Sequence, residues 1–185
     1  MKTFKQFLYE ATLNKMSRNT KEKDTAMLSR DRGSQTEKEN RSERKSLEKK
    51  LRRKGVGFSK VVGSYDEKGD GKPETEVSYQ LTRNPKKHSK KGFERMVKNI
   101  GKKKGPSGEA QHSVITQRAG QDAKLHPTSE KGDSFGIGKV KLGNNPDQSI
   151  GQTTAGAVRS GKKPSSQQTQ TKHKQSRSFH YSSDD

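Results

Sequence analysis

The chain has 185 residues, with 41 lysines and arginines against 21 acids, a formal charge of +20, and an apolar fraction of only 22%. Even with 18 glycines added, that fraction stays below the roughly 45–50% of ordinary globular domains. A core spread over the whole length is therefore not expected, and cysteine-based disulfides or metal sites are excluded because there is no cysteine. What remains is one compact unit of about half the chain, flanked by unstructured segments, with a charge that calls for a polyanionic partner.

The first element is MKTFKQFLYEA, which sets Phe4, Phe7, Leu8 and Ala11 on one face of a short amphipathic helix. Such a helix is too short to be stable alone and is suited to folding onto a partner. It falls short of the roughly 7–15 apolar residues of a signal-peptide core, and nothing in the chain approaches the roughly 18 of a membrane span. An intracellular or particle-enclosed protein with no membrane partner is expected.

This segment resembles the N-terminal capsid-targeting peptide of internal head proteins in T4-like bacteriophages, of the form Met-Lys-Thr-aromatic-x-x-Phe-Ile/Leu-x-Glu-Ala. Met1, Lys2, Thr3, Phe4, Phe7, Leu8, Glu10 and Ala11 meet every fixed position. The resemblance implies a propeptide over residues 1–10, with Phe4, Phe7 and Leu8 as the targeting face and the prohead scaffold as partner. It also implies cleavage by the prohead protease between Glu10 and Ala11, after a hydrophobic-x-Glu site read at Leu8 and Glu10. Of the twelve glutamates in the chain, only Glu10 has Leu or Ile two residues before it.

Residues 11–33 are polar, lack a sustained period and read as a linker. In SQTEKEN, Ser34 with Glu37 and Thr36 with Glu39 are overlapping capping boxes. A helix then runs through ENRSERKSLEKKLRRK, with acids early, bases late, and Gly55 placed to end it. Its narrow apolar face, Leu47 and Leu51, predicts a helix lying on a surface. VGFSKVVGSY and EVSYQLT, joined by the turn cluster DEKGDGKP, predict an antiparallel hairpin with Val77, Tyr79 and Leu81 on one face. Phe93, Met96, Val97 and Ile100 give the clearest helical period, with Gly101 as its stop. HSVITQ and AKLH follow as short strands.

The predicted fold class is therefore α+β, one small domain over 34–128 with the order α-β-β-α-β-β and an antiparallel sheet. SFGIGKVKLG offers an edge strand weakened by its glycines. Otherwise 129–185 reads as a largely disordered, basic tail rich in Gly, Ser and Gln. Residues 34–117 are also similar to a small bacterial domain family of uncharacterised function, through Glu39, Asn40, Arg41, Ser42, Leu47, Glu76, Ser78 and Tyr79. That likeness implies a small α+β domain and no chemistry. Whether Glu39, Asn40 and Arg41 form a site or a structural cap stays open at this level.

Motifs for small-molecule chemistry are weak. DEKGDG fails as a calcium loop, because Lys68 and Val77 occupy ligand positions. The Gly-x-Gly of FGIGKVKLG precedes no helix that could hold a phosphate, and the five histidines show no ligand spacing. No metal and no cofactor are implied. The basic clusters say more: Lys49, Lys50, Arg52, Arg53 and Lys54 in one, and Lys86, Lys87, Lys90, Lys91, Lys102, Lys103 and Lys104 in a stretch from Arg83 to Gly105 whose only acid is Glu94. With few aromatics for stacking, they suit non-specific contact with the phosphates of double-stranded DNA.

The leading expectation is a virion protein, packaged with DNA in the capsid interior. The alternative is a host-takeover factor in the infected cytoplasm that binds nucleic acid or a host protein. An enzyme such as a nuclease built on Glu39 is the remaining class.

Overall fold

The computed structural model describes residues 4–65, 74–105, 108, 110–111, 113–128, 132–143, 152–154 and 178–182. Among the described residues, three helices and eight strands follow one another as α1 (Phe4–Glu22), β1 (Thr25–Ser29), α2 (Glu37–Lys54), β2 (Gly57–Tyr65), β3 (Glu74–Thr82), α3 (Lys90–Lys102), β4 (Ser113–Gln117), β5 (Ala123–Pro127), β6 (Phe135–Gly143), β7 (Gln152–Thr154) and β8 (Ser178–Ser182). The fold is α+β. Its strands close into an antiparallel barrel in the order β1-β3-β2-β7-β8-β6-β5-β4, with β4 returning to β1.

The predicted order α-β-β-α-β-β is that of α2 through β5. The hairpin β2–β3 pairs in continuous register from Gly57 with Thr82 to Tyr65 with Glu74, while DEKGDG at its tip lies outside the described residues. Thr36 caps α2 with the second of the two capping boxes, and Gly55 ends it in the left-handed conformation at φ 65°. Gly101 has a different role from the predicted stop. It lies inside the last turn of α3, where a Cβ would come within 2.6 Å of Val114 Cγ1. The helix needs glycine there to approach β4.

Two corrections concern the flanks. The linker expected over 11–33 instead carries the second half of α1 and all of β1, which is buried at every position. No apolar periodicity announces β1, because TAMLS is short and hydrogen-bonds to strands on both sides, β3 and β4. Beyond residue 128, β6 is not an edge strand: it pairs with β5 and with β8. Of the residues assigned to the tail, 132–143, 152–154 (β7) and 178–182 (β8) are described, and the others lie outside the described residues.

Strand alternation sorts the side chains onto two faces. The outer face of β1, β3 and β4 presents Ala26, Leu28, Val77, Tyr79, Leu81 and Val114 to Leu47 and Leu51 of α2 and to Phe93, Val97 and Ile100 of α3. The inner face presents Met27, Val61, Ala123 and Tyr181, with Ile115, Ile137 and Val140 beside them, to Leu13 and Met16 of α1. Helix α1 thus fills the barrel from one side and leaves Asn14, Lys15, Arg18, Lys21 and Glu22 exposed. Its polar inward groups are satisfied: Asn19 donates to Gln80 at 3.2 Å, and Gln80 donates to the Met16 carbonyl at 3.1 Å. Asp24 then fixes the end of α1 through Arg83 at 2.6 Å and the Ala119 amide at 3.1 Å.

Candidate nucleic-acid interface

Helix α2 carries four acids, and each is already engaged within the protein. Glu37 meets Arg44, Glu43 meets Arg30, and Glu48 holds Lys60 at 2.6 Å and accepts from Tyr79 at 3.0 Å. Glu39 closes the capping box, accepting from the Thr36 amide at 2.8 Å and its hydroxyl at 2.7 Å; those bonds hold its carboxyl below the usual range. Burial raises the Glu48 carboxyl, but Lys60 and Tyr79 outweigh it, and the net shift is downward. On α3 the single acid, Glu94, is paired with Lys98 at 2.8 Å.

Of Glu39, Asn40 and Arg41, the first two have structural roles. Asn40 is buried and behaves like a short strand partner for the loop before α2. It accepts from the Arg32 amide at 2.8 Å and donates to the Arg32 carbonyl at 3.1 Å. Arg41 is exposed. One residue away from that loop contact, Asp31 receives Arg44 at 2.6 Å and the Val77 amide at 2.9 Å, both in the interior. These groups lock α2 to the sheet, and a nuclease centre on Glu39 finds no support in them. Among the described residues no group of three His, Asp or Glu side chains is placed to hold a metal ion, and no helix is long and apolar enough to cross a membrane.

The cations are distributed differently. Lys49, Arg52, Arg53, Lys54, Lys86, Lys87, Lys90, Lys91, Lys102, Lys103 and Lys104 are exposed, and Lys50 is half-buried. Contacts bring parts of the three basic segments together. His88 Nε2–H donates to the Lys54 carbonyl at 2.8 Å, capping α2 with the Asn84–His88 turn. The stem of Lys87 crosses Gly55 so closely that a Cβ there would meet Lys87 Cδ at 2.5 Å. Arg30 donates to the Lys103 carbonyl at 2.8 Å while also holding Glu43, which ties the end of α3 to α2. Lys50 lies where these segments meet. Partial burial and the charges of Lys103, Lys54, Arg30 and Arg53 all push its ammonium below the usual lysine range.

Not every predicted contact residue is equally free. Arg52 is paired with Glu48 at 3.3 Å and stands over the Phe58 ring at 5.2 Å, so its stem and charge serve the fold. Lys90 and Lys91 lie in the first turn of α3, and a 13-residue helix separates them by about 18 Å from Lys102–Lys104. The α2 cluster is what that helix's own macrodipole favours at a C-terminus, whereas Lys90 and Lys91 stand against the dipole of α3. Among the described residues, Lys49, Lys50, Arg53, Lys54, Lys86, Lys87, Lys90, Lys91 and Lys102–Lys104 form no ion pair. Arg30 completes the group and went unnoticed in the sequence, where RDR looks like loop.

The N-terminal candidates lie on α1. Its backbone runs helically through Leu8, Glu10 and Ala11, while the side chains of Phe4, Phe7, Leu8, Glu10 and Ala11 lie outside the described residues. Leu13 and Met16, immediately downstream, are seated in the barrel. No family model, no curated protein and no solved structure matches this chain.

Proposed function

We propose that the protein is a virion protein of a T4-like phage, packaged in the capsid interior, where it binds double-stranded DNA through phosphates without reading sequence. The observation that supports this reading is the asymmetry of α2 and α3. Every acid on the two helices is spent on the protein's own groups, while Lys49, Lys50, Arg53, Lys54, Lys86, Lys87 and Lys102–Lys104, from three converging segments, form no ion pair among the described residues. Each phosphate they neutralise releases condensed counterions, and the scarcity of exposed aromatics leaves stacking little part.

Recruitment belongs to the same proposal. Residues 1–10 engage the prohead scaffold, and the prohead protease cuts after Glu10. Such a cut spares Leu13 and Met16, so the barrel keeps its filling after the leader is gone.

Two measurements test the reading. In fluorescence anisotropy with unrelated 20-bp duplexes, affinities should agree within about threefold and fall steeply between 50 and 200 mM salt, with a slope near −0.9 per phosphate contacted. Sequence preference, or affinity unmoved by salt, overturns the DNA reading. Mass spectrometry of purified virions should find a peptide beginning at Ala11; absence of the protein from particles, or an intact Met1 in them, overturns the packaging reading.

A further inference from the structure

Most basic side chains of the helical face are exposed, but Lys50 is not. It is half-buried, with Lys54 and Arg53 on its own helix and Arg30 and Lys103 arriving from the loop before α2 and from the end of α3. Among the described residues Lys50 forms no ion pair, and Glu43 on the same helix is held by Arg30. A lysine placed this way is disfavoured in the free protein, since burial weakens its hydration and four like charges oppose it. The surroundings are also held in place. Arg30 is fixed to the Lys103 carbonyl at 2.8 Å, the Lys103 amide donates to the Ile100 carbonyl at 3.3 Å, and the Gln111 amide donates to the Gly101 carbonyl at 3.0 Å. Lys50 and Arg53 therefore stand on the last turns of α2 and Lys103 on the cap of α3, while Arg30 is held in place by its bonds to the Lys103 carbonyl and Glu43.

From this arrangement we infer that the corner between α2 and the end of α3 is a discrete seat for one phosphate group, held by Lys50, Arg53 and Lys103, with Lys54 and Arg30 supplying field. The inference rests on the DNA reading for the source of that phosphate, a backbone phosphodiester of the duplex. The chemistry itself would accept any phosphate of high charge density. A seat differs from a diffuse basic face in one respect: its central lysine is strained when empty and satisfied when occupied. The remaining cations are exposed and screened by salt, so each is readily replaced by its neighbours.

The test uses the full chain as wild type, Lys50→Gln, Lys103→Gln, and Lys38→Gln as an exposed comparator at the far end of α2. The probes are a 20-bp duplex and inorganic pyrophosphate. Without any anion, Lys50→Gln should melt at a higher temperature than wild type, because the opposed charge is gone. Pyrophosphate at 10 mM should raise the melting temperature of wild type and of Lys38→Gln, and leave Lys50→Gln where it was. Duplex affinity should fall about tenfold in Lys50→Gln and Lys103→Gln and no more than about twofold in Lys38→Gln.

If all three variants lose duplex affinity equally, or if pyrophosphate stabilises Lys50→Gln as much as wild type, the seat is overturned while the DNA reading stands. If wild type ignores the duplex but pyrophosphate stabilises it through Lys50, the seat stands and the DNA reading falls. If neither probe acts on wild type, both fall.

Discussion

The two apolar layers on either side of the barrel wall are made of different material. Outside, under α2 and α3, Leu47, Leu51, Phe93, Val97 and Ile100 meet Leu28, Val77, Tyr79 and Leu81 in a layer of branched and aromatic side chains. Inside, Leu13 and Met16 meet Met27, Val61, Ala123 and Tyr181, with Asn19, Gln80 and Gln117 buried beside them. The outer layer gains most from close packing of side chains with few rotamers, whereas the inner one relies on flexible methionines and on amide bonds to a helix backbone. A wall of this kind lets one face carry a rigid, charged pair of helices while the other adapts to whatever α1 offers.

The bonds that tie α2 to the sheet should be the most sensitive point. Asp31 is an interior carboxylate bonded to both Arg44 and the Val77 amide. Asp31→Ala should cost about 3–5 kcal/mol, measured by urea unfolding, because it strands a buried guanidinium and an amide together. A loss below about 1 kcal/mol would mean that Glu37 alone satisfies Arg44.

The two layers can then be set against each other directly. Leu51→Ala, at 0% exposure in the outer layer, should cost about 3–4 kcal/mol, and Met16→Ala, equally buried in the inner one, about 2–3 kcal/mol. The expected gap reflects how far each site can collapse around the missing atoms. Equal losses, or the reverse order, would show the inner layer to be packed as tightly as the outer.

The smallest effect is titrated, not mutated. His126 is buried on the outer side of β5, between the Thr116 hydroxyl at 2.7 Å and the Ser134 hydroxyl at 2.5 Å. Burial lowers its pKa first, then Lys98 and Lys124, with Glu94 opposing them. Because the folded pKa lies below the unfolded value near 6.5, the unfolded chain binds the proton more readily. This contribution to stability is complete above about pH 6.5 and shrinks as pH falls toward the folded pKa. His126→Gln should flatten the slope of stability against pH in that window. An unchanged slope would assign the dependence elsewhere.

The outer layer was legible because its helices carry their own signals. Phe93, Met96, Val97 and Ile100 keep a helical period, and Thr36 with Glu39 marks a start that the structure uses. The inner layer was not, because its inward residues are spread one or two per strand, and half of the helix facing them looks polar. Leu13 and Met16 are isolated in TLNKMSRNT, and Asn19 and Gln80 count as hydrophilic until a barrel places them opposite each other. The same held for the candidate interface. Its lysines were visible as runs, but Arg30 and the half-buried setting of Lys50 arise only when three distant segments meet.

The order in which the wall closes has a kinetic consequence. Strand β8, residues 178–182, pairs with β6 and β7, and Tyr181 sits in the same inner cluster as Leu13. The first and last described elements therefore meet in the same inner cluster, and the barrel is complete only when residues 178–182 are available to it. A nascent chain lacking them presents β6 and β7 with open pairing edges, which other chains can occupy. Contacts between such distant parts of the sequence make folding slow relative to a helical bundle of similar size. The wall therefore seals late, and the unpaired edges of β6 and β7 are the surfaces an unfinished chain exposes to its neighbours.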